Sequence, residues 1–295
     1  MRVFITGATG LIGSAVVAEL LEAGHTVTAL TRSEVSASRA TAAGAATVRG
    51  GLADLDVLRT AADQADGVIH LAFGNDFSSA EALMANITEE SAALETLGDA
   101  LVGTGKPLVT VSGTPHTPGR PSTEDDPLPT DGPVGGRGVS VNRTLALASR
   151  GVRSSAIRLP RTVHNEGEGG FAGLLTQIAR ETGVAVYPGD GAQRWPAIHA
   201  LDAAVLFRLA LENAPGGTAW HAVADEGDAV RDIVTVIGRR LGLPVESRPV
   251  ESFGPIGPVF AADQPASSAH TRTELGWEPI HPSLLTDLEK LEKAH

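Results

Sequence analysis

The stretch TGATGLIG, residues 6–13, sets glycines at positions 7, 10 and 13 between an apolar run and an amphipathic one. That spacing does its chemistry through the main chain. Gly7 permits a tight turn, Gly10 lets a diphosphate approach the backbone, and Gly13 lets a helix close on the strand before it. Thr9, Leu11 and Ile12 fall in the same turn, where the free N–H groups of a helix start carry a partial positive charge. The pattern follows RVFIT and precedes LIGSAVVAELLEAG, the strand–turn–helix context that a dinucleotide site demands.

The next apolar run chooses between dinucleotides. It ends in ALTRS, with Thr31 and Arg32 where an acidic residue would hold a ribose 2′-hydroxyl, and the first carboxylate is Glu34. A guanidinium pairs with a 2′-phosphate through two hydrogen bonds, whereas a carboxylate repels it. NADP(H) is therefore favoured over NAD(H).

These residues need a frame. Strand patterns at 2–7, 26–31, 45–50, 66–73, 106–113 and 153–160 alternate with helical ones, including 11–24 and 78–104. Continuous apolar strands separated by helices predict an α/β fold, a Rossmann-like doubly wound parallel sheet over residues 1–160. From 161 to 295 the rhythm changes: a helix over 170–182, a strand over 184–189, an irregular stretch over 190–199 and a helix from Leu201. TAWHAV (218–223), a helix over 227–241 and VESRPV (245–250) follow. This half reads as a smaller C-terminal substrate-binding lobe, with some segments returning to the main sheet. Residues 114–138 are rich in Pro and Gly without periodicity, which predicts a long lid-like loop with TEDDP (123–127) in solvent.

Bulk properties exclude several classes. The 295 residues are 42% hydrophobic and 20% charged, a soluble globular profile. A net charge of −12 disfavours nucleic acid and acidic membrane surfaces as partners, leaving a small-molecule substrate and a monomer or homodimer. The absence of cysteine removes disulfides and thiolate chemistry. The chain enters a strand at once and lacks an apolar run of about 18 residues, so a cytoplasmic location is expected. No metal is expected, because no His or carboxylate cluster has ligand spacing. No G-x-S-x-G elbow marks a hydrolase.

TGATGLIG, VIHLAF (68–73), VTVSGT (109–114), AIRLPRTVHNEG (156–167) and GDGAQRWPAIHALDAA (189–204) together resemble the extended short-chain dehydrogenase/reductases (SDRs), in an atypical form, over nearly the whole length. The resemblance implies that Gly7, Thr9, Gly10, Leu11, Ile12 and Gly13 hold the pyrophosphate and Arg32 the adenosine phosphate. Leu52 would border adenine, beside Gly51 where the family often has an aspartate. Ala72 and Phe73 would lie along the ribose and nicotinamide, Pro160, Thr162 and Val163 would flank the carboxamide, and Asn86 would be structural.

The catalytic pair is where the likeness fails. The family uses a tyrosine as acid or base, with a lysine four residues later on the same helical face. Alignment by distance from RSSAIRLP puts Val139 and Arg143 there, and the single tyrosine, Tyr187, sits in VYPGDG with Gly191 four residues on. Substitutes are Thr114 to hold a substrate oxygen with Ser112 in support, Arg143 to polarise a carbonyl, and His116 as proton donor. Thr114 as a backbone-bonded strand end and His116 as a solvated loop residue are the plainer alternatives. His164, Arg194, Trp195 and His199 are candidate substrate-binding residues; Asp202 is expected to cap a helix, and His70 and His221 to be core. The expected function is an NADPH-dependent reductase of a small carbonyl or enone. The alternatives are a non-catalytic NADP(H)-sensing regulator and an epimerase- or dehydratase-like enzyme with tightly bound cofactor.

Overall fold

The computed structural model of the chain describes residues 1–292. Its first half alternates β1 (Arg2–Thr6), α1 (Leu11–Glu22), β2 (Thr26–Thr31), α2 (Glu34–Ala42), β3 (Ala46–Arg49), α3 (Leu55–Gln64), β4 (Gly67–His70), α4 (Ala80–Leu101), β5 (Pro107–Gly113), α5 (Gly135–Ala146) and β6 (Arg153–Leu159). The second half holds β7 (Thr162–His164), α6 (Gly170–Thr182), β8 (Ala185–Pro188), β9 (Arg194–His199), α7 (Ala200–Asn213), β10 (Thr218–His221), β11 (Asp225–Ala229), α8 (Val230–Leu241) and β12 (Val245–Arg248). Short helices at Gly257–Phe260, Ala269–Leu275 and Leu284–Leu288 follow.

Seven strands form one sheet in the order β10-β6-β5-β4-β1-β2-β3, and every pairing in it is parallel. Strands alternate their side chains between faces. Ile5, Ile69, Val109 and Ile157 pack on the side of α1 and α7, while Phe4, Val68 and Leu108 pack with α3 and α4 side chains such as Leu58 and Leu97. Each fully buried Leu or Ile contributes about 1.5–3 kcal/mol. The strand order reverses between β1 and β4. In open α/β sheets that reversal leaves a crevice at the carboxyl ends of the strands.

The second lobe carries the sheet β11-β9-β7, the pair β12-β8, and a core of Trp195, Phe171 and Phe260 against α6 and α8. Residues 200–221 leave it again: α7 packs on α1, and β10 adds the last strand beside β6. Residue 160 is therefore a boundary that the chain crosses back.

The stretch 190–199 is a central strand rather than irregular. Pro196, which cannot donate to a ladder, lies opposite the point where β11 slips register between Asp225 and Asp228, so no partner is deprived of its hydrogen bond. The loop expected to run to residue 138 gives way to α5 at Gly135. The sequence GGRG has no apolar period, yet the helix is seated through it: a Cβ at Gly138 would lie 2.0 Å from the Pro129 carbonyl oxygen. The 123–127 segment is anchored rather than solvated. Glu124 is buried and accepts from the Thr271 N–H at 3.0 Å, and Arg158 donates to the Glu124 and Asp126 carbonyls at 3.0 and 2.8 Å. No helix of the described residues is long and apolar enough to cross a membrane.

Candidate active site at the β1/β4 switch point

The glycines meet the demands read from their spacing. Gly7 has φ +75°, and a Cβ there would come within 2.8 Å of the Ala72 nitrogen. A Cβ at Gly13 would stand 2.0 Å from the Gly7 carbonyl oxygen, whereas at Gly10 it would meet only that oxygen at 3.6 Å. Two glycines are thus required by the protein, and the third keeps space open. Gly10 begins α1 with no side-chain cap and no acid in the first turn, leaving those amides for an anion. A cleft of about 360 Å³ lies there, lined by Gly7, Gly10, Leu71, Val111, Pro160 and Arg161. A larger groove of about 580 Å³ runs between the amino-terminal ends of β1–β3 and α3. It lies at the amino-terminal edge of the sheet, away from the carboxyl-end crevice where open α/β sheets bind ligands.

At the adenosine end Arg32 is exposed, and its Cδ would lie 3.7 Å from a Cβ on Gly51, so the side chain runs along that glycine. Glu34, the first acid after it in sequence, is turned onto Arg49 at 2.8 Å, and Asp54, across Gly51, accepts the Gly51 N–H at 2.7 Å. Leu52 is buried beneath. The residues present fit a nicotinamide dinucleotide.

The exit of β4 is fixed by Thr6. Its Oγ1 accepts the N–H groups of Leu71 and Ala72, both at 3.2 Å, so its hydroxyl proton is directed to His70 Nδ1 at 2.9 Å. That makes the His70 tautomer Nε2–H. Burial first, and the Arg137 charge second, push His70 down to about 3, so the ring stays neutral. His70 and His221 are both core residues, as expected. Beyond Ala72, Phe73 takes the guanidinium of Arg137 over its ring at 4.2 Å. Asn86 Nδ2 donates to the Asp76 carbonyl at 2.7 Å and holds this connection.

Arg137 corrects the reading of α5. The helix buries Gly135, Gly138, Ser140, Val141 and Thr144. Arg143 is exposed on the outer groove between α4 and α5, beside Glu95 and Asp99, and does not reach the cleft. Val139 and Arg143 are therefore the wrong pair. The inner face instead carries the buried Ser140 and Thr144, four apart, and Arg137, forked onto the buried Glu90 with two bonds of 2.8 Å, four residues before Val141, packed with Ala156. The exclusion of a Tyr–Lys pair stands, as Tyr187 packs in the second lobe.

Thr114 follows β5, is buried, and donates its N–H to Leu159 at 2.9 Å, next to Pro160. Its Oγ1 and that of Ser112 are buried without partners. His116 is exposed two residues on. Pro160 and Val163 line the cleft, but the Thr162 hydroxyl turns away and accepts from the Ala172 N–H at 3.4 Å, seating α6.

Three of the four substrate candidates are structural. Trp195 is fully buried in the lobe core. His164 donates from Nδ1 to Asp287 at 2.9 Å. His199 caps α7 by accepting the Leu201 N–H on Nδ1 at 3.2 Å and stacks on His281. Gly167, Lys290 and His164 hold the Asp287 carboxyl down at about 2, against burial, which works the other way. His164, His199 and Asp287 bring donor atoms within 4.8 Å of one another, but His164 spends Nδ1 on Asp287 and His199 spends Nδ1 on the Leu201 N–H. With Nδ1 accepting, a neutral His199 carries its proton on Nε2 and offers no lone pair there. Arg194 is half-exposed and paired with Asp263 at 2.8 Å. Asp202 does not cap α7; it accepts the N–H groups of Ile280 and His281 at 2.9 and 3.0 Å. Sequence reasoning missed Arg137, Glu90, Arg161 and Gln264; only Arg161, inside the RLPRTVH stretch, carried a positional signal.

Residues 3–222 match the profile of the NAD dependent epimerase/dehydratase family. The chain is 43% identical over 294 residues to an uncharacterized Schizosaccharomyces pombe protein, covering 98% of each. It is 28% identical to the 3-diazoavenalumate denitrifying reductase of a Streptomyces species over 96% of this chain and 97% of that one. The structure of UDP-glucose 4-epimerase from Thermotoga maritima with UDP-glucose superposes with a TM-score of 0.78 at 19% identity, over 98% and 97% of the two chains. With its glycine cradle at the sheet's switch point, the chain belongs to the NAD dependent epimerase/dehydratase family of extended SDRs and is an NAD(P)-dependent enzyme of oxidoreductase type.

Proposed function

We propose that the protein is an NADPH-dependent reductase of a small carbonyl or enone compound. The observation that carries this reading is the Thr114 hydroxyl, buried at the strand end beside Pro160 with no partner in the protein. A buried hydroxyl without a partner costs about 1–3 kcal/mol, and a substrate oxygen would satisfy it.

When bound, the reduced nicotinamide supplies a hydride. Gly7–Gly13 would hold its diphosphate, Arg32 its 2′-phosphate, and Pro160 and Val163 its carboxamide end. Thr114 donates a hydrogen bond to the substrate oxygen, and Arg137, its charge paired with Glu90, holds the Phe73 ring in place. His116, open to water two residues beyond Thr114, would deliver the proton that completes reduction. A conjugated enone suits this site, because the hydride enters at carbon and an enolate oxygen needs stabilisation more than immediate protonation.

The test is NADPH oxidation against aldehydes, ketones and enones by wild type, Thr114→Ser and Thr114→Val. Turnover by wild type, retention in the serine variant and a loss of about 100-fold in the valine variant support the reading. NADPH binding with no panel member reduced overturns it in favour of a sensor, which the lack of a tyrosine on α5 would suit.

A further inference from the structure

Arg161, in the turn between β6 and β7, stands on the wall of the cleft opposite the glycine cradle. Its Nη1 donates to the Val259 carbonyl at 2.9 Å and its Nη2 to Gln264 Oε1 at 2.5 Å. The guanidinium lies 5.1 Å from the Phe171 ring centroid and 6.0 Å from that of Trp195. Its Nε–H is buried without an acceptor, and so is the indole N–H of Trp195.

No carboxylate of the described residues forms an ion pair with Arg161; Arg272, part-buried and likewise without an ion pair, spends its donors on Ser268 Oγ and the Val223 and Ala224 carbonyls, whereas Arg161 keeps a buried Nε–H unused. Arg158 has Glu124, Asp125 and Asp126 around it, Arg137 has Glu90, and Arg208 has Glu19 and Glu212. Half-buried Arg153 lacks an acid but donates to the carbonyls of Leu211 and Ala214 at the carboxyl end of α7, where a cation is favoured. At Arg161 burial alone acts, pulling its pKa down to about 10. Burying a cation without a counter-charge is costly unless something supplies one.

Gln264 ties this cation to the proposed chemistry. Its Oε1 faces Arg161 while its Nε2 donates to the Thr114 carbonyl at 2.5 Å. One amide therefore fixes the guanidinium relative to the residue whose hydroxyl is unpaired. The diphosphate of a dinucleotide already has the uncapped amides of α1 on the other wall.

We infer that Arg161 receives a carboxylate of the substrate, so that the reductase reading above, on which this rests, narrows to oxo- or enoic acids. The fork of an arginine matches a carboxylate.

The test is calorimetric binding, with NADP⁺ present, of 4-oxopentanoate, 2-oxobutanoate and 3-phenylprop-2-enoate, each beside its methyl ester. Wild type, Arg161→Gln and Arg161→Lys are compared, with thermal melts to confirm folding. We expect at least one acid to bind wild type tenfold or more tightly than its ester. That preference should vanish in Arg161→Gln and persist in part in Arg161→Lys, with NADPH affinity within twofold of wild type. Equal binding of acid and ester, or no binding of either, by wild type overturns the inference without any variant. An undiminished preference in Arg161→Gln, or a loss of NADPH affinity there with the preference intact, also overturns it. NADPH oxidation is recorded separately. Esters reduced as well as acids would sink the carboxylate and keep the reductase, whereas acid-selective binding without oxidation would do the reverse.

Discussion

Arg137 and Glu90 meet through two parallel hydrogen bonds of 2.8 Å, and their exposures differ: the carboxylate is 3% exposed and the guanidinium 27%. The buried partner is the one that suffers when the pair is broken. Arg137→Met should therefore cost about 3 kcal/mol in urea unfolding and Glu90→Gln only about 1 kcal/mol. Arg143, on the outer groove, should tolerate alanine with NADPH oxidation within twofold of wild type. A larger loss in Glu90→Gln than in Arg137→Met would contradict the burial, and a crippled Arg143→Ala would return that residue to the cleft.

Gly13 and Gly10 should fail differently. A Cβ on Gly13 would collide with the Gly7 carbonyl at 2.0 Å, backbone against backbone. Gly13→Ala should lose about 3 kcal/mol of stability. Gly10→Ala meets nothing closer than 3.6 Å, so its melting temperature should match wild type while its NADPH affinity falls at least tenfold. Gly10→Ala with normal affinity would show that no diphosphate approaches that turn.

Arg32 has no ion pair among the described residues; Glu34 is engaged by Arg49, and Asp54 by the Gly51 N–H. Losing charge-assisted hydrogen bonds to a 2′-phosphate costs about 1.5–3 kcal/mol. Arg32→Ala should weaken NADPH binding by roughly 10- to 100-fold and leave NADH binding unchanged. Equal effects on the two coenzymes would remove the assignment of the 2′-phosphate.

Much of this architecture was legible because local signals and global demands agreed. The glycine turn, the parallel strands and the helix over 170–182 follow from patterns within some twenty residues of one another. The site resisted wherever its parts are distant in sequence. His164 and Asp287 are 123 residues apart, and nothing in VHNEG announces a carboxylate in a terminal helix; His164 thus looked like a substrate ligand. Trp195 follows a Gly-rich turn and looked exposed, yet its neighbours are Phe171 and Phe260. Position 196 argued against a strand because the compensating slip in β11 is a tertiary event. On α5 the period was readable but its phase was not. Which residue faces inward is set by Gly138 closing on Pro129, a contact no periodicity encodes.

Asp228 supplies a pH-dependent test of the second lobe. It lies in β11 opposite Trp195, with one carboxylate oxygen buried and unpartnered. Burial first, then the charges of Asp225 and Asp232, raise its pKa from 3.8 to about 6. A carboxyl with a raised folded pKa binds its proton more tightly in the native state, so its stabilising share is complete below about pH 4 and is lost as pH rises through 6. At pH 7 the folded protein carries an ionised group in a site that resists it; at 1.36 kcal/mol per pKa unit the ceiling is about 3 kcal/mol, and solvent screening of this part-exposed side chain brings it to about 1–2 kcal/mol. Asp228→Asn should therefore be more stable than wild type by up to that amount at pH 7, and the gain should disappear near pH 4. His70 and His221, pushed down to about 3 and about 4 by burial, weaken both proteins alike as pH falls below about 6.5, so the difference between the two isolates Asp228. Urea midpoints at pH 4, 5.5 and 7 decide it: a gap that stays constant with pH, or an asparagine variant no more stable at pH 7, would mean the Asp228 carboxyl is solvated or paired in solution.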